Sequence, residues 1–173
     1  VGYGGMATVF LVQDTQLRRE VAMKVFSPRP GETVDFLRRF AREAQVLAQL
    51  DHPNILPIYD YGEQNGVAYL IMPYMAGGSL KELLQARRVL PPTEALRLIA
   101  YVLNALQYAH ERGLIHRDIK PGNLLFKAEG TLMLSDFGLV KVLSTDTDGK
   151  SSILAATQTG QVIAGTPEYM APE

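Results

Sequence analysis

The chain has 173 residues, with 17 Lys and Arg against 18 Asp and Glu and a formal net charge of −1. That balance gives no reason to expect a nucleic acid or a membrane surface as its main partner. It has no cysteine, which excludes disulfides, thiolate zinc sites and a cysteine nucleophile. Apolar residues make up 47% and charged residues 20%, the composition of an ordinary soluble domain.

Taken in order, the first third reads as short strands and one helix. Thr8 to Gln13 and Glu20 to Phe26 are apolar and β-branched stretches joined by a polar turn, which predicts a hairpin. Pro28, Pro30 and Gly31 break the chain. Phe36, Leu37, Phe40, Ala44, Leu47 and Leu50 then recur at helical spacing, predicting an amphipathic helix over about residues 34 to 50. The pair His52-Pro53 closes it, because the residue before proline avoids the α region. Further strands are expected near Ile55–Tyr61 and Val67–Met72. The apolar run from Val67 to Met72 is far short of the roughly 18 residues of a spanning helix and stops at Pro73.

From Gly77 onward the pattern turns helical. Ser79-Leu80-Lys81-Glu82 has the form of a capping box. Leu96, Ile99, Leu103, Leu106 and Ala109 mark a longer helix, with Gly113 as its left-handed stop. Short strands are predicted near Asn123–Phe126 and Leu132–Leu134. The stretch from Leu139 to Gly165 is rich in Ser, Thr, Asp and Gly and too long for a plain connector. The chain starts with Val1 rather than Met, so the native start is expected to lie upstream.

Several residues carry chemistry. Gly2-Tyr3-Gly4-Gly5-Met6-Ala7-Thr8-Val9 fits G-x-G-x-x-G-x-V, with Ala7 in place of the third glycine. By itself this suits either a glycine-rich hairpin turn or a loop lying over phosphates. The glycines lead into a strand and not a helix, which argues against a dinucleotide fingerprint. Lys24 ends the apolar strand Val21-Ala22-Met23-Lys24. Glu43 sits mid-helix four residues before the apolar Leu47, so the two share a face. An inward glutamate asks for a cationic partner, and Lys24 is the candidate. Arg38, Arg39 and Arg42 read as a solvated face, and His52 and His110 as local structural residues.

His116-Arg117-Asp118-Ile119-Lys120-Pro121-Gly122-Asn123 is followed by Asp136-Phe137-Gly138 and, at the end, by Ala171-Pro172-Glu173. With the glycine-rich segment, Lys24 and Glu43, these are six motifs in one order, and with them the chain resembles the protein kinase superfamily over nearly its whole length. Lys120 and Gly165-Thr166-Pro167-Glu168-Tyr169 are similar to Ser/Thr kinases and not Tyr kinases, and the wording is most like bacterial Ser/Thr kinases. The resemblance implies an α+β, bilobal fold: residues 1–75 as an antiparallel sheet lobe with one helix, running through a hinge, and 76–173 as part of a mostly helical lobe. It also implies truncation at both ends.

The same resemblance implies transfer of the γ-phosphoryl group of ATP to Ser/Thr hydroxyls of proteins, with Mg²⁺, in a cytoplasmic domain, with no nucleic acid and a membrane only through a segment outside this chain. The alternative is a nucleotide-binding fragment that is inactive as it stands; a small-molecule phosphotransferase is disfavoured by Lys120 and the G-T-P-E-Y-M-A-P-E segment. Lys24 would hold the α/β-phosphates, oriented by Glu43, and Asn123 and Asp136 would hold Mg²⁺. Asp118 would accept the proton of the acceptor hydroxyl, Lys120 would neutralise the transferred phosphoryl group, and Thr166 would bond toward both. Val1, Gly2, Gly4, Val9, Ala22 and Leu125 would surround adenine and the phosphates. Met72, Pro73 and Met75 form the hinge; Pro73 still offers a carbonyl, and the required amide comes from Met75. His116 is expected to be structural, stacked with Phe137, Leu47 and Ile58. Arg117 would bind a phosphorylated residue of the long loop, with Thr157 and Thr159 favoured over Ser151 and Ser152.

Overall fold

The computed structural model describes residues 2–4, 7–28, 33–137 and 166–169. Val1, Gly138, the hydroxyl-rich stretch with Ser151, Ser152, Thr157 and Thr159, and Ala171-Pro172-Glu173 lie outside the described residues.

Five antiparallel strands form one sheet in the order β1-β2-β3-β5-β4: β1 Gly2–Gly4, β2 Ala7–Asp14, β3 Arg19–Phe26, β4 Asp60–Gln64 and β5 Val67–Pro73. β2 and β3 are the expected hairpin, with Val9 opposite Lys24 and Leu11 opposite Ala22. β3 then pairs with β5 and sets Ala22 opposite Met72 and Lys24 opposite Leu70. Directly opposed residues share a face of the sheet. Val9, Lys24 and Leu70 therefore stand in one row and Leu11, Ala22 and Met72 in the next. β5 is a central strand, and Pro73 is tolerated there as its last residue.

The helix α1, Thr33–Leu47, lays Phe36, Phe40, Ala44 and Leu47 against this sheet. Their spacing of four, four and three keeps one stripe inward. Phe40 meets Phe26 at 5.4 Å between ring centroids and Phe36 at 6.2 Å. Truncating so buried a ring to alanine costs about 3–5 kcal/mol, which would loosen α1 from the sheet. After Leu47 the turn tightens: Gln49 N donates to Val46 O at 3.2 Å and Leu50 N to Leu47 O at 3.1 Å. The helix thus stops before the expected residue 50, although the backbone keeps turning to that point.

The strand expected at Ile55–Tyr61 is displaced, since β4 starts only at Asp60. Pro57 lacks a donor for a ladder. The residues before it pair elsewhere: Leu56 N donates to Leu134 O at 2.9 Å and Leu134 N to Asn54 O at 2.8 Å. The segment therefore ties the first sheet to a second, two-stranded one made of β6, Leu124–Phe126, and β7, Leu132–Leu134.

Two helices precede that small sheet. α2, Leu80–Arg87, starts on the predicted capping box: Glu82 N donates to Ser79 Oγ at 3.2 Å and Ser79 N to Glu82 Oε2 at 2.7 Å. α3, Pro92–His110, buries Leu98, Ala105 and Ala109. Of the residues that predicted α3, Leu96, Ile99 and Leu103 face outward, 66%, 54% and 59% exposed. The helix is apolar on more than one side, and contact with β7 decided which side was covered. One apolar cluster runs from Phe26 and Phe40 through Leu56 and Met72 to Leu98, Leu132 and Phe137, joining the sheet to the helical part.

Candidate active site

Between the five-stranded sheet and the small sheet lies a cleft of about 540 Å³. Val9 and Ala22 line it from the sheet, Met72, Pro73 and Met75 from the end of β5, Leu125 from β6, and Lys24 and Asp136 from its inner end. Gly2 and Gly4 pair with Val9 and Ala7 along β1, next to this wall. Apolar walls with a few charged groups among them suit a flat ring system that carries an anionic tail.

At the inner end Lys24 Nζ lies 2.6 Å from Asp136 Oδ1, with the two side chains 14% and 28% exposed. So enclosed an ammonium needs a carboxylate beside it. Glu43, expected as that partner, borders a smaller cavity of about 60 Å³ with Leu47, Leu114, Arg117 and Phe137. Asp136 holds a left-handed backbone, φ 64°, between buried Ser135 and Phe137. Such a conformation costs about 1–3 kcal/mol in a non-glycine residue and persists only where its surroundings impose it.

Below this pair, Asp118 is the centre of a network. Its Oδ2 accepts from Lys120 Nζ at 2.7 Å and from Asn123 Nδ2 at 3.0 Å, and its Oδ1 accepts from Thr166 Oγ1 at 2.8 Å. Lys120 Nζ also donates to Thr166 Oγ1 at 2.9 Å. A carboxylate offers about four lone-pair sites. Three are taken by described residues, two on Oδ2 and one on Oδ1. Burial pushes the Asp118 carboxyl up, but the bonds from Lys120, Thr166 and Asn123 and the charge of Lys120 outweigh it, so its pKa falls below the ordinary 3.8. The group is a carboxylate at neutral pH.

The short 3₁₀ turn Pro121–Asn123 delivers Asn123, which is buried. Its amide nitrogen donates to Asp118 O at 2.7 Å as well as to Oδ2, so the amide is oriented by Asp118 from two sides. Ser135 fixes Asn123 from behind, donating from N at 2.9 Å and from Oγ at 3.0 Å to Asn123 O. Asn123 thereby lies on backbone bonded to the residue that precedes Asp136. Among the described residues no group of three or more His, Asp or Glu could hold a metal ion. An amide oxygen and one carboxylate still suit Mg²⁺, which takes few protein ligands and keeps water and phosphate oxygens.

His116 is 1% exposed and packs against Phe137 at 4.6 Å between ring centroids, the rings tilted by 56°. Nδ1 accepts from Asp118 N at 3.2 Å, so Nε2 carries the proton and donates to Ser135 O at 2.7 Å. Burial pulls its pKa below the ordinary 6.5, with the bond to Ser135 opposing. His116 therefore holds the backbone of Asp118 as a neutral ring. Leu47, Ile58 and Phe137 border one small apolar cavity with Leu70 and Met72. Arg117 has φ 70°, and its left-handed backbone separates His116 from Asp118.

Motif reading missed Ser135, which braces both His116 and Asn123, and it missed that Ser79 and Glu82 line the cleft. Ser135 stood next to the D-F-G segment in sequence. The capping box was visible, but nothing local said what it would face.

A fold with the nucleotide-sized cleft between a five-stranded sheet and a helical part, and with this network at its inner end, is that of a protein kinase. The sequence profile of the protein kinase domain matches residues 1–173, and the chain belongs to that family. It is 41% identical over 173 residues to the serine/threonine-protein kinase PrkC of Bacillus subtilis, covering all of this chain and 25% of PrkC. It is 37% identical to the serine/threonine-protein kinase PknB of Mycobacterium leprae, covering 27% of that protein. The chain thus spans about a quarter of the length of these relatives. Among solved structures, the PknI kinase domain of Mycobacterium tuberculosis matches with TM-score 0.70 at 39% identity, over 80% of this chain and 57% of that one. A structure of Rad53 in complex with AMP-PNP matches with TM-score 0.72 at 30% identity, over 80% of this chain and 36% of that one. Among the described residues no helix is long and apolar enough to cross a membrane.

Proposed function

We propose that this domain transfers the γ-phosphoryl group of ATP to serine and threonine hydroxyls of proteins. The observation that carries the proposal is Asp118: a carboxylate held at once by Lys120, Thr166 and Asn123, with a single bond to Oδ1 among the described residues. Phosphoryl transfer passes through a loose transition state rich in negative charge, so positioning and neutralisation do most of the work. Lys24 binds the α/β-phosphates at the inner end of the cleft, and Met72, Pro73 and Met75 take adenine at the other. Asn123 and Asp136 would hold Mg²⁺, which supplies charge neutralisation across the phosphates. Asp118 orients the acceptor hydroxyl and takes its proton, and Lys120, already bonded to Asp118, meets the transferred group.

The domain divides at the hinge into two lobes, 1–75 and 76–173, and works in the cytoplasm. Proteins are the acceptors, the chain itself included, with Thr157 and Thr159 as its modified residues and Arg117 as the phosphate's partner. Radiolabel transfer from ATP to a protein acceptor, measured beside nucleotide affinity, tests the activity. Binding without transfer would leave a nucleotide-binding module; no binding at all would overturn the proposal.

A further inference from the structure

Among the described residues the buried polar side chains are His116, Asn123 and Ser135. They belong to one connected set of bonds. His116 Nε2 donates to Ser135 O at 2.7 Å, and Ser135 donates to Asn123 O from N at 2.9 Å and from Oγ at 3.0 Å. Asn123 Nδ2 reaches Asp118 O and Oδ2, and Asp118 N returns to His116 Nδ1 at 3.2 Å. The ring of bonds thus passes through the residue that directly precedes Asp136. His116 and Asn123 each bond to Asp118, whereas the Ser135 hydroxyl bonds to Asn123 instead.

That hydroxyl is not needed for pairing. Asn123 O already has a partner in Ser135 N, so an alanine at position 135 would leave this carbonyl bonded. Burying a hydroxyl costs free energy that its bond only offsets. Serine hydroxyls also tend to bond backbone close by in sequence, but this one reaches 12 residues back along the chain. Its effect is geometric. Two donors from one residue converge on one carbonyl, which fixes the side-chain rotation of Ser135 and the direction of the Asn123 peptide together. Asn123 ends the short turn Pro121–Asn123, and Asp136, with φ 64°, follows Ser135 directly. A left-handed backbone of that kind keeps its shape only where its neighbours hold it.

Resting on the reading of Asn123 and Asp136 as the residues that hold Mg²⁺, we propose that Ser135 is a positioning residue for that ion. Its hydroxyl sets the separation and orientation of the two side chains. Mg²⁺ demands near-ideal octahedral geometry at short distances, so a small displacement of either side chain weakens its binding. Groups that orient ligands from behind contribute about 10–100-fold in metal affinity. A nucleotide without metal makes no such demand on Asn123.

The test separates metal from nucleotide and hydroxyl from bulk. Ser135→Ala removes the hydroxyl and keeps the backbone bonds, and Ser135→Thr keeps the hydroxyl. Mn²⁺, in place of Mg²⁺, is titrated onto the full chain with ADP bound and followed by electron paramagnetic resonance. Affinity for ADP in EDTA is measured by calorimetry on the same proteins, with thermal melting as a check on the fold. Ser135→Ala should weaken Mn²⁺ about tenfold, the low end for an orienting group, with ADP affinity in EDTA unchanged. Ser135→Thr should hold Mn²⁺ as the wild type does. If Ser135→Ala keeps wild-type Mn²⁺ affinity, if it loses ADP in EDTA by the same factor, or if Ser135→Thr is as weak as Ser135→Ala, Ser135 is a packing residue only. If the wild-type chain binds ADP without Mn²⁺, the metal reading of Asn123 and Asp136 fails and takes the role of Ser135 with it.

Discussion

The two charged clusters of the cleft are built differently. Lys24 and Asp136 come from opposite sides of the cleft, lie far apart in the chain, and meet in one contact of 2.6 Å. Asp118 instead draws Lys120 and Asn123 from its own segment and is bonded by three side chains at once. A single contact between two parts of a fold can be exchanged for another partner at little cost. A network drawn mostly from a few neighbouring residues, with Thr166 added from afar, is largely set when its segment folds. The end with Lys24 is thus the adaptable one and the end with Asp118 the rigid one, which under the proposed function would keep the proton acceptor in place.

Removing the centre of the rigid end should have the largest effect. Asp118→Asn is expected to lower transfer by about 10²–10⁴-fold, the range for a lost general base, with nucleotide affinity nearly unchanged. Lys24→Met, at the adaptable end, should cost about 10²–10³-fold and weaken nucleotide binding as well. Single-turnover radiolabel transfer combined with calorimetry separates the two. Near-normal turnover in Asp118→Asn would erase the contrast between the clusters.

Thr166 sharpens the same contrast, because it reaches the rigid end from outside the Asp118 segment. Thr166→Ala removes one donor to Asp118 Oδ1 and one acceptor of Lys120. A hydrogen bond to a charged group contributes about 1.5–3 kcal/mol, so turnover should fall about tenfold or more at unchanged nucleotide affinity. An unchanged kcat would mean that Asp118 is held by its local partners alone.

The exposed leucines of α3 give a further prediction. Leu96, Ile99 and Leu103, with Ile115 at 61% exposure, form apolar surface on the helical part, and patches of this kind drive association. The 173-residue chain should elute from size exclusion above its monomer mass of 19.1 kDa. Leu96→Gln with Leu103→Gln should shift it toward that mass. A sharp monomer peak from the unmodified chain would refute this.

The smallest effect concerns pH. The folded His116 has a lowered pKa, so the unfolded chain binds its proton first as pH falls. The contribution of neutral His116 is complete above the unfolded value of 6.5 and declines as pH drops from 6.5 toward the lowered folded value. Asp118 acts further down: its folded pKa lies below 3.8, so its share holds above that value and is lost only as pH falls through the folded one. Urea unfolding at pH 7.5 and 5.5 should show lower stability at 5.5, and His116→Gln should show a smaller difference. An equal slope in the variant would assign the effect to other groups, among them His52, whose pKa burial also lowers.

Residue chemistry and order were legible without coordinates. The β2–β3 hairpin, α1, the capping box of α2 and the stop at Gly113 are local events, written in periodicity and in the φ preferences of single residues. So was the content of the site, because Asp118, Lys120 and Asn123 sit within one turn of chain. Less legible was the segment from Ile55 to Tyr59, where apolar residues look like a strand but bond across to β7.

What only the tertiary structure decided were choices among equals. Lys24 could meet more than one carboxylate, and packing brought Asp136, from a distant part of the chain, within 2.6 Å of it. α3 carries leucines on two sides, and β7 covered the side with Leu98 and Ala105. Glu82 announced itself as a helix cap, and the pairing of Gly77 and Gly78 with Phe126 placed it on the wall of the cleft. A sequence states which groups are available and how each prefers to turn its own backbone. Which of several suitable partners a group meets depends on the distance between segments far apart in the chain, and that is set only when they pack.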